Sequence, residues 1–248
     1  MIDVIFLFVF GLFIGSFLNV LIDRLPRDEQ IFRGRSYCEL CKHKLSFSDL
    51  VPVLSFVYLK GKCRYCHTPL SYYYPLVEIT TGLLFVLSFV FFKQFLIVYY
   101  LFLISSLIVI FFTDLKYGII PDKILFPAII ATVIFNFQFS IFNYLISAIG
   151  SFLFFFCLWA VTRGKGMGFG DVKYVILMGL ILGFPHILVG LYIAFLTGAV
   201  VSLILVLWGK KKLKGSTIPF GPFLVFGTIV ALFWGERLIE TVLPWLSF

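Results

Sequence analysis

Long apolar runs, each free of charge over most of its length, follow one another through almost the whole chain. Several reach the roughly 17–25 residues that a helix needs to cross the hydrocarbon of a bilayer. The chain is therefore expected to be an all-α polytopic membrane protein of about eight transmembrane helices. The candidate spans fall near residues 3–22, 75–92, 95–113, 124–139, 141–162, 172–184, 186–208 and 218–235. Composition excludes the soluble alternative. Charged residues make up 13% of the 248, against about a quarter in soluble proteins. The amino terminus lacks a basic n-region and a small-residue cleavage site, so residues 3–22 read as a retained first span.

A formal charge of +8 would suggest nucleic acid in a soluble protein. Here the first explanation is the excess of Lys and Arg in cytoplasmic loops, and no nucleic-acid partner is expected. Loops 23–74, 114–123, 163–173 and 209–217 alternate with the others and hold eighteen of the twenty basic residues; Lys93 and Arg237 fall on the opposite side. That asymmetry predicts both termini outside and the large loop in the cytosol. Membrane lipids are then expected partners; the Lys and Arg of the large loop could contact anionic head groups, but charge-driven topology explains them equally well. Two of the expected spans are short: the stretch from Asp171 to Pro185, both included, is fifteen residues, about 22 Å of helix against roughly 30 Å of hydrocarbon. Such segments must lie partly within protein, sit in a locally thinned bilayer, or leave a water-filled recess at one end.

The expected organisation has three parts: a first transmembrane helix at 1–22, a cytosolic cysteine-rich lobe at 23–74, and a multi-helix membrane domain at 75–248. About fifty residues cannot bury much core, and domains of that size usually need a staple. Cys38-x-x-Cys41 and Cys63-x-x-Cys66 supply one. Four thiolates converging on a tetrahedron suit structural zinc. Cytosolic thiols stay reduced, which argues against disulfides unless the topology is reversed; another metal is the third possibility. His43 and His67 could replace a cysteine as ligands, but with four cysteines available they read as solvated polar residues. Cys157 lies in an apolar run and reads as a small buried hydrophobe.

Thr113-Asp114-Leu115-Lys116 and Gly168-Phe169-Gly170-Asp171-Val172-Lys173 each set an aspartate at the edge of an apolar run. Ionisable residues there are costly unless paired, neutralised or used. Taken singly, Asp114 could face head groups or pair with Lys116, and Asp171 could cap a helix. Together, on one membrane face, they fit a carboxylate dyad sharing a proton: one member takes a proton from water, the other donates to a scissile carbonyl. Gly166, Gly168 and Gly170 are expected to permit unusual backbone angles and close approach of another chain. The alternative from another class is an ion- or proton-coupled transporter using the same aspartates.

These residues resemble the bacterial prepilin peptidases (type IV leader peptidases), and the correspondence runs nearly end to end. It takes in Gly15-Ser16-Phe17-Leu18-Asn19-Val20 with Arg24-Leu25-Pro26, and the two Cys-x-x-Cys pairs with Leu59-Lys60-Gly61-Lys62-Cys63. It continues through Tyr74-Pro75-Leu76-Val77-Glu78, then Asp114-Leu115-Lys116 to Ile120-Pro121-Asp122. The Gly168–Lys173 block and Ile218-Pro219-Phe220-Gly221-Pro222-Phe223 complete it. The resemblance implies a Gly-x-Gly-Asp membrane aspartyl protease in the bacterial inner membrane, cleaving the basic leader of type IV prepilin-like or pseudopilin precursors at the cytosolic face, in pilus assembly or protein secretion. It implies Asp114 and Asp171 as the catalytic pair, with Gly168, Gly170, Lys173, Asp122 and Glu78 supporting. It implies zinc on Cys38, Cys41, Cys63 and Cys66. N-methylation of the new amino terminus with S-adenosylmethionine is implied by the resemblance alone.

Overall fold

The first helix, α1 (Ile2–Arg24), runs on through a short 3-10 turn at Leu25–Arg27 and ends beside the first charged cluster of the chain. It opens a computed structural model that describes residues 2–31, 35–92, 96–136, 141–208 and 218–242. Arg33, Lys93, the lysines within 210–214 and the residues of the expected spans beyond these ranges lie outside the described residues. After α1 come α2 (Leu54–Tyr58), α3 (Tyr73–Phe91), α4 (Ile97–Tyr117), α5 (Asp122–Asn136), α6 (Ile141–Thr162), α7 (Phe169–Leu182), α8 (His186–Leu207) and α9 (Gly221–Val242). Among the described residues there is no strand, and two isolated β-bridges are the extent of extended pairing. Among the described residues six helices are long and apolar enough to cross a membrane: α1, α3, α4, α6, α8 and α9. The all-α membrane architecture is as read from the sequence, and α5 and α7 are the two short segments. Backbone contacts divide the chain into residues 1–112 and 113–248, with the break inside α4.

In the first unit, α1 and α3 approach until their backbones touch. A Cβ on Gly15 would lie 2.6 Å from Glu78 Cα, and one on Gly11 at the same distance from Gly82 Cα. Lipid gives no hydrophobic drive for helix association, so small residues that admit close packing replace it. Polar contacts then fix the register at the α1 exit: Asn19 Nδ2 donates to the Tyr74 carbonyl (3.1 Å) and Tyr74 Oη to Asp23 Oδ2 (3.0 Å).

Between α1 and α3 lies the cysteine lobe, built from two knuckles of identical pattern. In each, the first cysteine N–H bonds a carbonyl five residues on: Cys38 to His43 (3.0 Å) and Cys63 to Thr68 (2.9 Å). In each, the residue after the second cysteine takes positive φ (Lys42, 57°; His67, 55°). A bridge closes each base, Tyr37 with Lys44 and Lys62 with Pro69. The 3-10 turn Phe47–Leu50 and α2 fill the linker. Asp49 ties linker to second knuckle: it accepts from Ser46 N–H (3.0 Å), Ser46 Oγ (2.8 Å) and Arg64 Nε (2.7 Å). Burial pushes its carboxyl up, but these bonds and the Arg64 charge outweigh it and hold it below the ordinary carboxylate range.

In the second unit α7 is the core. Val172, Tyr174, Val175, Leu177 and Met178 have no exposed surface, so α7 faces protein, not lipid, which is how fourteen residues suffice. Hydrogen bonds reach it from three helices: Asn136 Nδ2 to the Leu180 carbonyl (2.6 Å), Ser151 Oγ to the Val175 carbonyl (3.0 Å), and Tyr174 Oη with Thr228 Oγ1 (2.8 Å). Such interhelical bonds average about 0.6 kcal/mol each in membrane proteins. Their value here is that they fix the rotation of α7, and with it the aspartate in its first turn.

Candidate active site and metal centre

Asp114 falls in the last turn of α4 and Asp171 in the first turn of α7. The end of α4 is closed by Gly118, whose φ of +68° is a left-handed conformation that glycine adopts at little cost, and whose N–H bonds the Asp114 carbonyl (2.8 Å). Both aspartates are buried, at 5% and 6% exposure, and the Asp171 carboxylate feels the charge of Asp114. The second unit alone supplies this pair.

One side chain and one helix end complete the setting. Ile120 packs between Gly170 and Gly221: a Cβ on either glycine would stand 3.3 Å from it. Gly221 opens α9, and its N–H faces the Asp114 carboxylate. A Cβ at Gly221 would sit 2.5 Å from Asp114 Oδ2, so any larger residue collides with the carboxylate. Asp114 therefore meets the amino end of α9, where the helix field favours negative charge. Asp171 stands in the amino-terminal turn of α7. Asp114 Oδ2 and Thr113 Oγ1 are buried with no hydrogen-bond partner among the described residues. Buried polar atoms are nearly always paired, so these two are the atoms an incoming polar group would satisfy.

Of the expected supporting residues, Asp122 and Lys173 are brought together as an ion pair between the start of α5 and the first turn of α7. Gly170 provides close approach to Ile120, and the Gly168 N–H serves the Asp171 carboxylate. The expected unusual backbone angles are absent. Gly168 has φ −71°, and neither Gly166 nor Gly170 takes positive φ; the glycines serve clearance. Glu78 belongs to the first unit. It is buried and accepts the Val53 N–H (2.8 Å), holding a β-branched residue at φ 58°. Thr113 and Gly221 were not singled out by chemistry in the sequence. The orphaned hydroxyl of Thr113 depends on its surroundings, and Gly221 was visible only as part of a motif.

The four expected cysteine ligands converge, with all Sγ atoms within 4.8 Å of one another. Cys38 and Cys66 Sγ stand 3.8 Å apart, which matches the edge of about 3.8 Å for a tetrahedron of thiolates around zinc. No disulfide joins them. Hydrogen bonds from the Thr68 hydroxyl and backbone draw the Cys66 thiol down to about 6. At Cys41 a backbone bond from His43 acts downward, but burial and the sulfurs of Cys38 and Cys66 outweigh it and push that thiol up to about 11. The residues fit a metal ion that takes thiolates. His43 packs against Tyr65 with ring centroids 3.7 Å apart and stands outside the ligand set. Cys157 is exposed, not buried as expected; in a membrane helix that surface faces lipid as readily as a core.

A paired-carboxylate site at the ends of buried helices, joined in one chain to a four-cysteine lobe, defines a polytopic membrane protein with the equipment of an aspartyl hydrolase. The comparisons give the particular family. The bacterial peptidase A24 N-terminal domain model matches residues 9–92, and the type IV leader peptidase family model matches residues 101–203. A Bacillus subtilis protein named prepilin leader peptidase/N-methyltransferase is 33% identical over 238 residues, 94% of this chain and 95% of that protein. Proteins of the same name from Myxococcus xanthus and Aeromonas hydrophila are 37% identical over 214 residues (82% of this chain, 63% of that protein) and 31% identical over 263 residues (93% and 90%). The chain belongs to the type IV leader peptidase family and is a multi-pass inner-membrane protein. No solved structure matches it.

Proposed function

We propose that this chain is a membrane aspartyl endopeptidase that removes the basic leader from type IV prepilin-like and pseudopilin precursors, and that it also N-methylates the amino terminus so exposed. The observation that carries the peptidase reading is the buried pair Asp114 and Asp171, set against the amino ends of α9 and α7 with one carboxylate oxygen unpartnered. In this mechanism one carboxylate takes a proton from water as the water oxygen attacks the scissile carbonyl carbon. Its neighbour gives a proton to the carbonyl oxygen. Collapse of the tetrahedral intermediate breaks the C–N bond; the leader keeps the new carboxylate and the leaving amine takes the proton. Incubation of the purified protein with a pilin-like precursor, followed by mass spectrometry, tests cleavage and methylation together.

In this reading the basic-loop asymmetry puts the dyad and lobe at the cytosolic face, and the chain works as three parts: 1–22, 23–74 and 75–248. Cys38, Cys41, Cys63 and Cys66 would hold a structural zinc ion that folds the lobe and takes no part in hydrolysis. S-adenosylmethionine is the donor the relatives' name implies. Methylation of this chain's product rests on the relatives. Nothing in the fold favours the transporter: the aspartates sit at helix ends, not at mid-span.

Two variants probe the supporting roles. Thr113→Val replaces an unpartnered buried hydroxyl by an isostere, which should leave Tm unchanged or higher. If that hydroxyl bonds the water or the tetrahedral oxygen, kcat falls about tenfold, the worth of one neutral hydrogen bond. An unchanged kcat removes Thr113 from the reaction. Glu78→Ala strands the Val53 N–H in its left-handed conformation and should cost on the order of 1–2 kcal/mol locally. Amide hydrogen exchange over residues 51–58 should then quicken. Glu78→Gln keeps an acceptor and should restore most of the protection; no rescue would mean the carboxylate does something other than hold Val53.

A further inference from the structure

The first unit contains a second built site that neither peptide hydrolysis nor the cysteine cluster uses. A cavity of about 460 Å³ opens beside the first knuckle, lined by Arg24, Arg35, Lys42 and Lys44 with Tyr37 and Glu29. Among the described lining residues four cations face one carboxylate, a net charge of three positive. Arg24 is nine-tenths buried. Its guanidinium donates to the carbonyls of Gln30 (3.0 Å), Ile31 (3.5 Å) and Arg35 (3.4 Å), and no carboxylate among the described residues pairs with it. Dipoles hold it in place without cancelling its charge, so the field remains available to a ligand. Tyr37 organises the rest. Arg24 Cζ stands 5.9 Å and Lys42 Nζ 5.0 Å from its ring centroid, while its hydroxyl engages the Glu29 carboxylate at 3.2 Å.

The depth of the cavity narrows the ligand further. Arg24 is the last residue of α1, a helix that crosses hydrocarbon, so the cavity begins where a span ends and lipid phosphates lie. We infer that this cavity binds the phosphate of an anionic phospholipid head group. Basic pockets at the end of a span are suited to such head groups, and lysine is a flexible donor to phosphate. A zwitterionic lipid brings its own cation into a site already three charges positive. S-adenosylmethionine carries a sulfonium and an ammonium against one carboxylate, so it meets the same repulsion. A soluble phosphate shares the chemistry but not the anchoring, and the test separates the two. The inference is independent of the proposed peptidase activity.

The experiment uses the full chain purified in a neutral detergent, with lipid retention measured by native mass spectrometry. Phosphatidylglycerol is expected to be retained roughly tenfold better than phosphatidylcholine at equal concentration. The Lys42→Gln/Lys44→Gln variant should lose that preference while keeping the metal content of the parent. Should the double variant lose its metal, Lys44→Gln alone, at an exposed position of ordinary φ, should halve the preference or more. Inorganic phosphate at equal concentration should not displace the lipid. Equal retention of both lipids overturns the inference, as does an unchanged preference in a variant that keeps its metal. Displacement by inorganic phosphate would make the ligand a soluble anion, and lysine-dependent displacement by S-adenosylmethionine would make it the methyl donor; either result overturns the lipid assignment.

Discussion

Asn in place of either Asp114 or Asp171 should slow leader removal by on the order of 10³–10⁴-fold, the range general acid–base groups contribute, and should leave the protein folded. The substitution preserves size and hydrogen-bonding shape but ends proton transfer at that position. Because the pair acts as one device, the double variant should be scarcely worse than either single one. Stability should hold, since Asn relieves like-charge repulsion between two buried carboxylates. The control lies a few residues away. Asp122→Asn breaks an ion pair with Lys173 whose two side chains are 51% and 24% exposed. Pairs of that kind are worth about 0–1 kcal/mol, so a several-fold effect is expected there. Cleavage of a pilin-like precursor followed by mass spectrometry gives the rates, and a thermal scan in the same detergent checks the fold. Parental rates from either Asp114→Asn or Asp171→Asn, in folded protein, would end the aspartyl mechanism.

Much of this site was legible in the sequence because its chemistry is local. A carboxylate at the edge of an apolar run announces itself by its cost in lipid, whatever the rest of the chain does. Cys-x-x-Cys pairs are equally local, and the geometry of a thiolate tetrahedron does not depend on what the linker between them adopts. The shortness of α7 leaves protein surroundings, a thinned bilayer or a water-filled recess open in the sequence, and Val172 to Met178 take the first, packed among neighbouring helices. What stayed hidden depends on side chains from distant positions. Nothing around Gly221 says that its missing Cβ leaves room for Asp114 Oδ2, about a hundred residues earlier. Thr113 reads as one more β-branched residue until its hydroxyl proves to have no partner. The glycines at 166, 168 and 170 allow both unusual backbone angles and close approach, and a sequence shows what is allowed and not which is used. Gly170 uses the second, giving clearance to Ile120 at ordinary angles. Val53 shows the converse: a β-branched residue held at φ 58° by a carboxylate 25 positions away.

Removing the metal should undo the lobe and spare the membrane helices. Neither the Phe47–Leu50 turn nor α2 buries a residue, and Leu40, Phe47, Leu54, Val57 and Tyr58 are exposed. The most deeply enclosed apolar side chains of the two knuckles are those of Cys38 and Cys63 themselves. Apolar burial of that extent cannot offset the entropy of ordering the segment. The four sulfurs are the staple, and zinc held by four thiolates supplies on the order of 10–16 kcal/mol to domains of this kind. One zinc per chain is therefore expected by elemental analysis, and none in a variant with serine at all four cysteines. After stripping with a strong chelator, amide exchange should rise steeply across residues 36–70, including the two knuckle turns and the Asp49 hub. Exchange in α7 should not change, because its hydrogen bonds to α5, α6 and α9 contain no metal ligand. Cleavage should fall by less than in the aspartate variants, as a loss of substrate docking that raises KM more than it lowers kcat. Zinc absent from the parent, or a lobe equally protected after stripping, would show that the knuckles are held by something other than the ion. A kcat collapse equal to that of Asp171→Asn would mean that the lobe takes part in the chemistry itself.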